Sequence, residues 1–306
     1  MDSIMTNFSI WISAIRLRTL PLSIAGIILA ACFATYNGFF EWSIFTLAIL
    51  TTLSFQILSN LANDYGDGIK GTDNKDRIGP ERAIQSGAIS PEELFNAIKL
   101  NIVISIMLAF ALIFFSFGAK HFFLTLLFFT LAIASIIAAI RYTMGDNAYG
   151  YKGLGDVFVF IFFGLTSVVG CYVLFAKQLD HVTFLPAITI GLLSTAVLNL
   201  NNMRDRLTDE KANKITLAVK LGEKNVKLYH NTLVLGAILL SSLFGVLYFS
   251  SPYNLIFMIT YVPLFLHLKK VNNNKTPELL DPELKKLALT TVLLAILMGI
   301  GYLLPI

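Results

Sequence analysis

Residues 121–140 read HFFLTLLFFTLAIASIIAAI, a run with no Asp, Glu, Lys or Arg. A run of this length can cross the hydrocarbon core of a membrane as a helix. Eight similar runs occur elsewhere, and none alternates as a barrel strand would. Only a helix satisfies its own backbone inside lipid, so each run is predicted to be helical. The nine predicted spans are 20–36, 41–60, 94–117, 121–140, 156–176, 182–200, 229–249, 253–268 and 286–305.

The composition of the whole chain agrees with a polytopic membrane protein. Of its 306 residues, 56% are hydrophobic and only 14% are charged, and Phe (25) outnumbers Lys and Arg together (23). These values exclude a disordered chain, a coiled coil and a small disulfide scaffold. Cys32 and Cys171 lie inside apolar runs without metal-ligand spacing. We therefore predict one all-α membrane domain over residues 1–306.

The basic residues fall almost entirely on one side of the predicted bundle. All except Lys120 and Lys177 lie in the N-terminal arm, at the start of the third span, or in loops after even-numbered spans. The positive-inside rule then predicts a cytoplasmic N-terminus and an external C-terminus in the inner (plasma) membrane. The same distribution explains the net charge of +4 without a nucleic-acid partner. Residues 8–15, with Trp11, are predicted to form an interfacial helix in the lipid bilayer.

Two acidic clusters close the second and sixth spans. Residues 60–67 read NLANDYGD, and residues 201–209 read NNMRDRLTD. Four spans separate the clusters, so both are predicted on the same side of the membrane. Asn63 and Asp67 are four residues apart, as are Asn201, Asp205 and Asp209, which places each set on one helix face. The first cluster has Gly71 where the second has Asp209, and Asp73 follows two residues later.

This pattern indicates a site for a divalent cation and a diphosphate. Carboxylates with asparagine oxygens suit a hard cation, and Mg²⁺ prefers a few carboxylates together with substrate phosphate. Nearby basic side chains would neutralise the remaining phosphate charge, which makes diphosphate a good leaving group. The alternative for the acids is helix capping or interfacial solvation. The alternative for the basic residues is the positive-inside rule alone.

Three stretches carry a family resemblance. They are 60–87 (NLANDYGDGIKGTDNKDRIGPERAIQSG), 149–156 (YGYKGLGD) and 199–222 (NLNNMRDRLTDEKANKITLAVKLG). They resemble the aspartate regions and the central segment of the UbiA superfamily of intramembrane aromatic prenyltransferases. The likeness is greatest to the branch that acts on 1,4-dihydroxy-2-naphthoate in menaquinone synthesis.

The resemblance implies nine helices around a central cavity, with polar loops forming a cap on the cytoplasmic side. It implies Mg²⁺-dependent transfer of a polyprenyl group from polyprenyl diphosphate onto 1,4-dihydroxy-2-naphthoate. Carbon dioxide and diphosphate would be lost, giving demethylmenaquinone. Two departures stand out: Gly71 replaces a third aspartate of the wider superfamily, and Asp146-Asn147-Ala148 stands where proline is usual.

The candidate residues follow from the spacing and the resemblance together. The predicted catalytic residues are Asn63, Asp64, Asp67, Asp205 and Asp209. The predicted metal ligands are Asn63, Asp67, Asp73, Asn201, Asp205 and Asp209. The predicted substrate-binding residues are Arg77, Arg82, Tyr142, Tyr149, Arg204 and Lys214.

An allylic cation also needs a dry wall that does not attack it, and aromatic faces favour cations. The sequence offers such a wall in Phe158, Phe160, Phe162 and Phe163, although lipid-facing positions are an equal alternative for each ring. Two other enzyme classes stay open, acting on 4-hydroxybenzoate or haem. A secondary transporter is less favoured, because transporters place charge near the midplane and these acids lie at one edge.

Overall fold

The computed structural model describes residues 2–75 and 77–304, without the side chains of residues 2–8 and Arg18. Over these ranges the chain is helical and has no β-strand. The helices are α1 (Asp2–Ile15), α2 (Leu20–Tyr36), α3 (Trp42–Ile69), α4 (Pro91–Phe117), α5 (Phe122–Arg141), α6 (Gly155–Ala176), α7 (Phe184–Lys211), α8 (Leu217–Leu247), α9 (Pro252–Asn273) and α10 (Asp281–Leu303).

Each of the nine predicted apolar runs corresponds to one helix. Among the described residues, α3 to α10 supply eight helices that are long and apolar enough to cross a membrane. A ninth candidate joins Ser9–Ile15 of α1 to α2 across a bend of 54°. The protein is therefore a multi-pass, all-α membrane protein. The interfacial depth of residues 8–15 stays a prediction.

Three helices extend well beyond the predicted spans at the acidic end. Helix α3 continues to Ile69, α7 continues to Lys211, and α8 begins at Leu217. Apolar character ends where a helix leaves the lipid, but its backbone hydrogen bonds continue into the polar region. The Thr216 hydroxyl caps α8 by accepting from Val219 N–H, and Gly222 with φ 72° then breaks the helix. The acidic residues consequently lie on ordered helical extensions rather than in loops.

The long segment between α3 and α4 begins and ends at defined signals. Gly71 adopts φ 71°, a left-handed conformation that suits glycine, and the chain turns away from the axis of α3 there. At the other end Ser90 and Glu93 form a capping box that starts α4. Between these points the segment folds over the acidic end of the bundle.

Helix α6 is not a regular α-helix. Its central part, Phe160–Gly170, is a π-helix, flanked by α-helical turns. The wider turn of a π-helix is rare and occurs mostly at functional sites. It was not predicted, because the apolar sequence of this span gives no signal for it.

Candidate active site

A cavity of about 530 Å³ runs from the acidic end into the bundle. Its lining comes from α2 to α7 and from the first turns of α10. Asp67 and Ala48 both line it and lie 19 positions apart on α3, or roughly 28 Å along the axis. That distance approaches the ~30 Å thickness of a hydrocarbon core. The cavity therefore joins a polar end to a deep apolar end.

The first acidic cluster is held by a close contact between α3 and the loop after α5. A Cβ atom at Gly66 would lie 2.5 Å from Thr143 Oγ1, so only glycine permits this approach. The Thr143 hydroxyl donates to the Ala62 carbonyl at 3.0 Å and lies 3.3 Å from Asn63 Oδ1. Gly66 thus allows the loop to fix Asn63 on the cavity wall.

Asp67 is the point at which three parts of the chain meet. The Tyr151 hydroxyl lies 2.8 Å from Asp67 Oδ1, and Lys214 Nζ lies 2.8 Å from Asp67 Oδ2. Tyr151 comes from the central segment and Lys214 from the second acidic region. The structure therefore brings both predicted acidic regions to one end of the bundle.

The second acidic cluster lies on α7 and faces the same cavity through Asn201, Asp205 and Asp209. Arg204 binds its neighbour Asp205 through two hydrogen bonds, of 2.8 and 2.7 Å. It also donates to Asp281 Oδ1 at 2.5 Å and to Asn201 Oδ1 at 2.9 Å. The Arg204 guanidinium is therefore engaged with Asn201, Asp205 and Asp281, and it holds the second cluster in place.

Lys214 reaches back from the loop that follows α7. Asn213 has φ 55°, a left-handed conformation that asparagine tolerates, and Lys214 N–H then donates to the Asp209 carbonyl at 2.8 Å. Lys214 Nζ also lies 4.0 Å from Asp209 Oδ1, with only 9% of the residue exposed. Burial alone favours the neutral amine, but the carboxylates of Asp67 and Asp209 outweigh it and raise the pKa of Lys214. Lys214 is thus a charged ammonium between the two acidic regions.

The segment after α3 supplies further cations. Arg77 pairs with Asp73, and Arg82 Nε lies 3.7 Å from Asp73 Oδ2. Both arginines line the cavity. Burial raises the pKa of Asp73, and the Arg77 charge opposes that shift. Burial, with the charge of Arg16 nearby, lowers the pKa of Arg82 well below its ordinary value. An anion bound beside Arg16 and Arg82 would reduce the repulsion between their positive charges.

Three predicted site residues lie away from the cavity wall. Asp64 is 1% exposed and accepts from Ala83 N–H at 3.2 Å, because consecutive residues on a helix point ~100° apart. Asp73 is buried against the arginines of its own segment. Arg204 is 1% exposed and bound to carboxylates, and its predicted contact with phosphate or naphthoate stays a prediction. These three residues therefore lie behind the cavity wall, where they contact the segments that form it.

The aromatic part of the wall includes the predicted tyrosines. Tyr142 and Tyr149 line the cavity, and their ring centroids are 5.3 Å apart. The Tyr149 hydroxyl donates to the Ala138 carbonyl at 2.9 Å, and its ring stacks on Phe158 at 4.0 Å. Burial raises the pKa of both tyrosines, so both stay protonated.

Of the four predicted phenylalanines, three line the cavity: Phe158, Phe162 and Phe163. Phe160 lies instead against Gly191 of α7. Three of the four rings are therefore available to the cavity, and one is used for helix packing; their role as a dry wall stays a prediction.

Sequence reasoning missed two polar groups of the cavity. Arg16 lies at the turn between α1 and α2, lines the cavity, and has a buried Nε with no hydrogen-bond partner. Gln56 also lines it and donates to Asn60, which in turn donates to the Ile15 carbonyl at 2.8 Å. The available signal was the presence of polar side chains at the edge of an apolar run. The positive-inside rule already explained the presence of Arg16, so Arg16 was not predicted as a residue of the site.

The oxygen atoms of this end suit a hard cation by their chemistry. Among the side chains that the structure describes, no three of His, Cys, Asp or Glu are placed to hold a metal ion. The Lys214 ammonium instead lies between two of the acids. Asparagine and carboxylate oxygens facing one cavity are nevertheless the donor set that Mg²⁺ takes together with phosphate. They are Asn63, Asp67, Asn201, Asp205 and Asp209.

Comparison with known proteins places the chain in a family. Residues 24–281 match the model of the UbiA prenyltransferase family. The chain belongs to this family. It is 39% identical over 291 residues to 1,4-dihydroxy-2-naphthoate octaprenyltransferase of Escherichia coli K12, covering 95% of this chain and 94% of that protein. It is 40% identical over 302 residues to the protein of the same name from Haemophilus influenzae, covering 97% and 96%.

Solved structures share the fold at low sequence identity. A UbiA homolog from Aeropyrum pernix K1 superposes with a TM-score of 0.68 at 14% identity, covering 94% of this chain and 97% of that one. A UbiA homolog from Archaeoglobus fulgidus, bound to GPP and Mg²⁺, superposes with a TM-score of 0.65 at 13% identity, covering 96% and 99%. The helical architecture around a central cavity is thus that of the family.

Proposed function

We propose that this protein transfers a polyprenyl group from polyprenyl diphosphate onto 1,4-dihydroxy-2-naphthoate, with loss of carbon dioxide and diphosphate, giving the demethylmenaquinone skeleton. The observation that carries the proposal is the contact between Lys214 and Asp67. It joins two acidic regions and a basic cluster at the polar end of a deep apolar cavity. The names of relatives with about 39% identity support the choice of acceptor.

Magnesium fits the oxygen donors at the polar end. Asn63 and Asp67 from α3, with Asn201, Asp205 and Asp209 from α7, would hold the ions. When bound, Mg²⁺ supplies positive charge to the diphosphate oxygens, which favours their departure. The A. fulgidus structure with GPP and Mg²⁺ supports this assignment, because it shows the fold binding that pair.

The basic side chains bind and orient the charged part of the substrates. Arg77, Arg82 and Lys214 line the cavity beside the acids and would bind diphosphate oxygens. Arg16, with its unpartnered Nε, is a further donor for phosphate or for the acceptor carboxylate. Diphosphate binding would draw Lys214 away from Asp67 and free that carboxylate for metal.

The apolar wall protects the reacting carbon. As the allylic C–O bond breaks, the electron pair leaves with diphosphate, and the cation lies among the rings of Tyr149, Phe158 and Phe162. These rings exclude water and stabilise positive charge through their faces. The electron-rich naphthol ring then attacks, and its carboxylate leaves as carbon dioxide. The hydroxyls of Tyr142 and Tyr149 remain protonated and can orient the acceptor.

The acidic end is proposed to face the cytoplasm in the inner membrane. This orientation follows from the basic residues, which lie at the same end as the acids except for Lys120 and Lys177. The N-terminus would then be cytoplasmic, the C-terminus external, and the loops over the acids a cytoplasmic cap. The whole chain would act as one domain.

The test is a direct assay of the purified protein in detergent or nanodiscs. It is incubated with 1,4-dihydroxy-2-naphthoate, a polyprenyl diphosphate and Mg²⁺, and the products are analysed by mass spectrometry. We expect a prenylated, decarboxylated naphthalenediol, and no product after Mg²⁺ is removed by chelation. Prenylation of 4-hydroxybenzoate instead would overturn the acceptor, and no transfer to either acid would overturn the proposed activity.

A further inference from the structure

The deep half of the cavity is lined mainly by apolar side chains. Its lining there includes Ala48 on α3, Ala109 on α4, Phe128 on α5 and Leu174 on α6, all buried. Phe117 packs on Phe128 from outside the lining, with ring centroids 5.1 Å apart. The depth exceeds what a diphosphate and a naphthoate ring would need, since those groups belong at the polar end.

One wall of this deep half is a straight stripe along α6. Every fourth residue lines the cavity: Phe158, Phe162, Thr166, Gly170 and Leu174. In a regular α-helix a step of four residues overshoots a full turn by ~40°, so five such residues would wind about the axis. The π-helical part, Phe160–Gly170, has a wider turn and shifts the stripe the other way. The two kinds of turn together keep the stripe facing one cavity over its whole length.

Gly170 leaves open space at one position of the stripe. A Cβ atom there would meet Thr166 Cγ2 at 3.6 Å and Phe128 Cε1 at 4.0 Å, which are ordinary contact distances. A Cβ atom therefore fits at this position, and because Gly170 lines the cavity, a larger side chain there would occupy cavity space beside Phe128. Glycine inside a helix costs about 1 kcal/mol relative to alanine. An open passage at this level of the cavity would be a functional benefit that offsets this loss of helix stability.

We propose that the α6 stripe is the track of the prenyl tail, and that Gly170 is the position that admits long tails to the deep half. This inference rests on the proposed function. Gly155 and Gly170 are 15 positions apart, and the wider π-helical turns rise less per residue than α-helical ones, so the gap opposite Phe128 lies at most about 22 Å along α6 from the polar end. A geranyl tail ends before this level, and an octaprenyl tail extends past it. Gly170 is thus a residue that determines chain-length specificity.

The experiment compares geranyl, geranylgeranyl and octaprenyl diphosphates with a fixed concentration of 1,4-dihydroxy-2-naphthoate. Wild type, Gly170→Leu and Gly236→Leu are purified, and kcat/KM is measured for each diphosphate. Gly236 lies on α8 outside the cavity, with Leu192 Cδ1 at 3.4 Å from its Cβ position. It makes the same exchange within a membrane span and controls for folding and helix propensity.

We expect Gly170→Leu to keep kcat/KM for geranyl diphosphate within about twofold and to lower it for octaprenyl diphosphate by roughly tenfold or more. Thr166→Leu, one step nearer the polar end, should also impair geranylgeranyl diphosphate, so the cut-off moves with position along the stripe. Gly236→Leu should show no dependence on tail length. An equal loss for all tails, or none for any, would overturn the inference. Failure of wild type to transfer any of the three would overturn the proposed function instead.

Discussion

The two acidic regions share a spacing but are fixed in different ways. Asn63 and Asp67 on α3 match Asn201 and Asp205 on α7 at an offset of 138 residues. Asp205 is bound by Arg204, its own neighbour, whereas Asp67 is bound by Tyr151 and Lys214 from distant parts of the chain. The second region carries its own counter-charge, and the first depends on the closure of other segments. Two copies of one motif can therefore be fixed differently, one by its own neighbouring residue and the other by contacts with distant segments.

The position before each aspartate shows the reason. At the offset of 138 residues, Gly66 corresponds to Arg204. Glycine lets the loop carrying Thr143 pack against α3, which leaves no room for a long cation there. On α7 the arginine fills that place and reaches Asp205 and Asp281. Close packing against Thr143 fixes the first region, whereas an ion pair with Arg204 fixes the second.

The largest expected effect comes from removing one charge from either region. Asp67→Asn and Asp205→Asn should each lower kcat by at least about a hundredfold, because both carboxylates are assigned to the metal ions. Glu92→Gln, at an exposed position in the first turn of α4, is the matched control and should leave kcat unchanged. The measurement is steady-state turnover, with thermal unfolding to verify folding. Near-normal turnover in either variant would remove that residue from the site and break the equivalence of the two regions.

The close contact of the first region gives the next effect. In Gly66→Ala the new methyl group would overlap Thr143, and overpacking of this kind costs typically ~1–3 kcal/mol. We expect a lower melting temperature and a loss of turnover of about tenfold as Asn63 shifts. Combining it with Thr143→Ala should recover part of the melting temperature, since the obstructing hydroxyl is gone. A Gly66→Ala variant with normal stability and turnover would show that close packing does not fix this region.

Lys214 lies between the two acidic regions, close to Asp67 and Asp209. In Lys214→Gln the ammonium that neutralises Asp67 and Asp209 is absent, so Mg²⁺ should gain more from binding there. We expect the rise in melting temperature on adding Mg²⁺ to be larger in this variant than in wild type. The KM for the prenyl diphosphate should increase by roughly tenfold, because one phosphate donor is lost. Lys152→Gln, at an exposed lysine, should reproduce neither change. An unchanged response to Mg²⁺ would contradict the idea that the ammonium occupies a cation position.

The smallest effect is expected at Tyr151. Tyr151→Phe removes the hydroxyl that lies 2.8 Å from Asp67 but keeps the ring beside Lys70. Hydrogen bonds to charged groups contribute about 1.5–3 kcal/mol, but Lys214 still holds Asp67 in this variant, so only part of that energy is lost and turnover should fall several-fold. Tyr253→Phe, at an exposed tyrosine on α9, is the control. An effect as large as that of Asp67→Asn would mean that Tyr151 contacts substrate rather than positions Asp67.

The sequence predicted the helices and the faces of the acidic clusters, because both follow from short-range patterns. Uncharged runs define spans, and a spacing of four residues defines one helix face; Asn63 and Asp67 share such a face of α3, and both line the cavity. It did not separate Asp64 from Asp67, since adjacent acids look alike until the direction of the cavity is known. Asp64 faces the Ala83 backbone and not the cavity.

Contacts between distant segments were beyond the reach of the sequence. The ion pair of Lys214 and Asp67 joins residues 147 apart, and no local pattern encodes it. Arg204 was predicted to meet substrate because it is basic and near the acids, but its neighbour Asp205 and the distant Asp281 bind it first. The apolar sequence of α6 also contains no pattern that predicts its π-helical turns. Long-range packing decides each of these features.

The two acidic regions are proposed to bind the same diphosphate through metal ions. This proposal is tested by a structure of the protein with Mn²⁺ and a non-hydrolysable geranyl diphosphate analogue, with the ions located by anomalous scattering. We expect Mn²⁺ at the polar end of the cavity, coordinated by Asp67 of α3 and by Asp205 or Asp209 of α7, with one diphosphate bridging the two sides. Ions bound by only one of the two regions, or a diphosphate seated away from both, would contradict it.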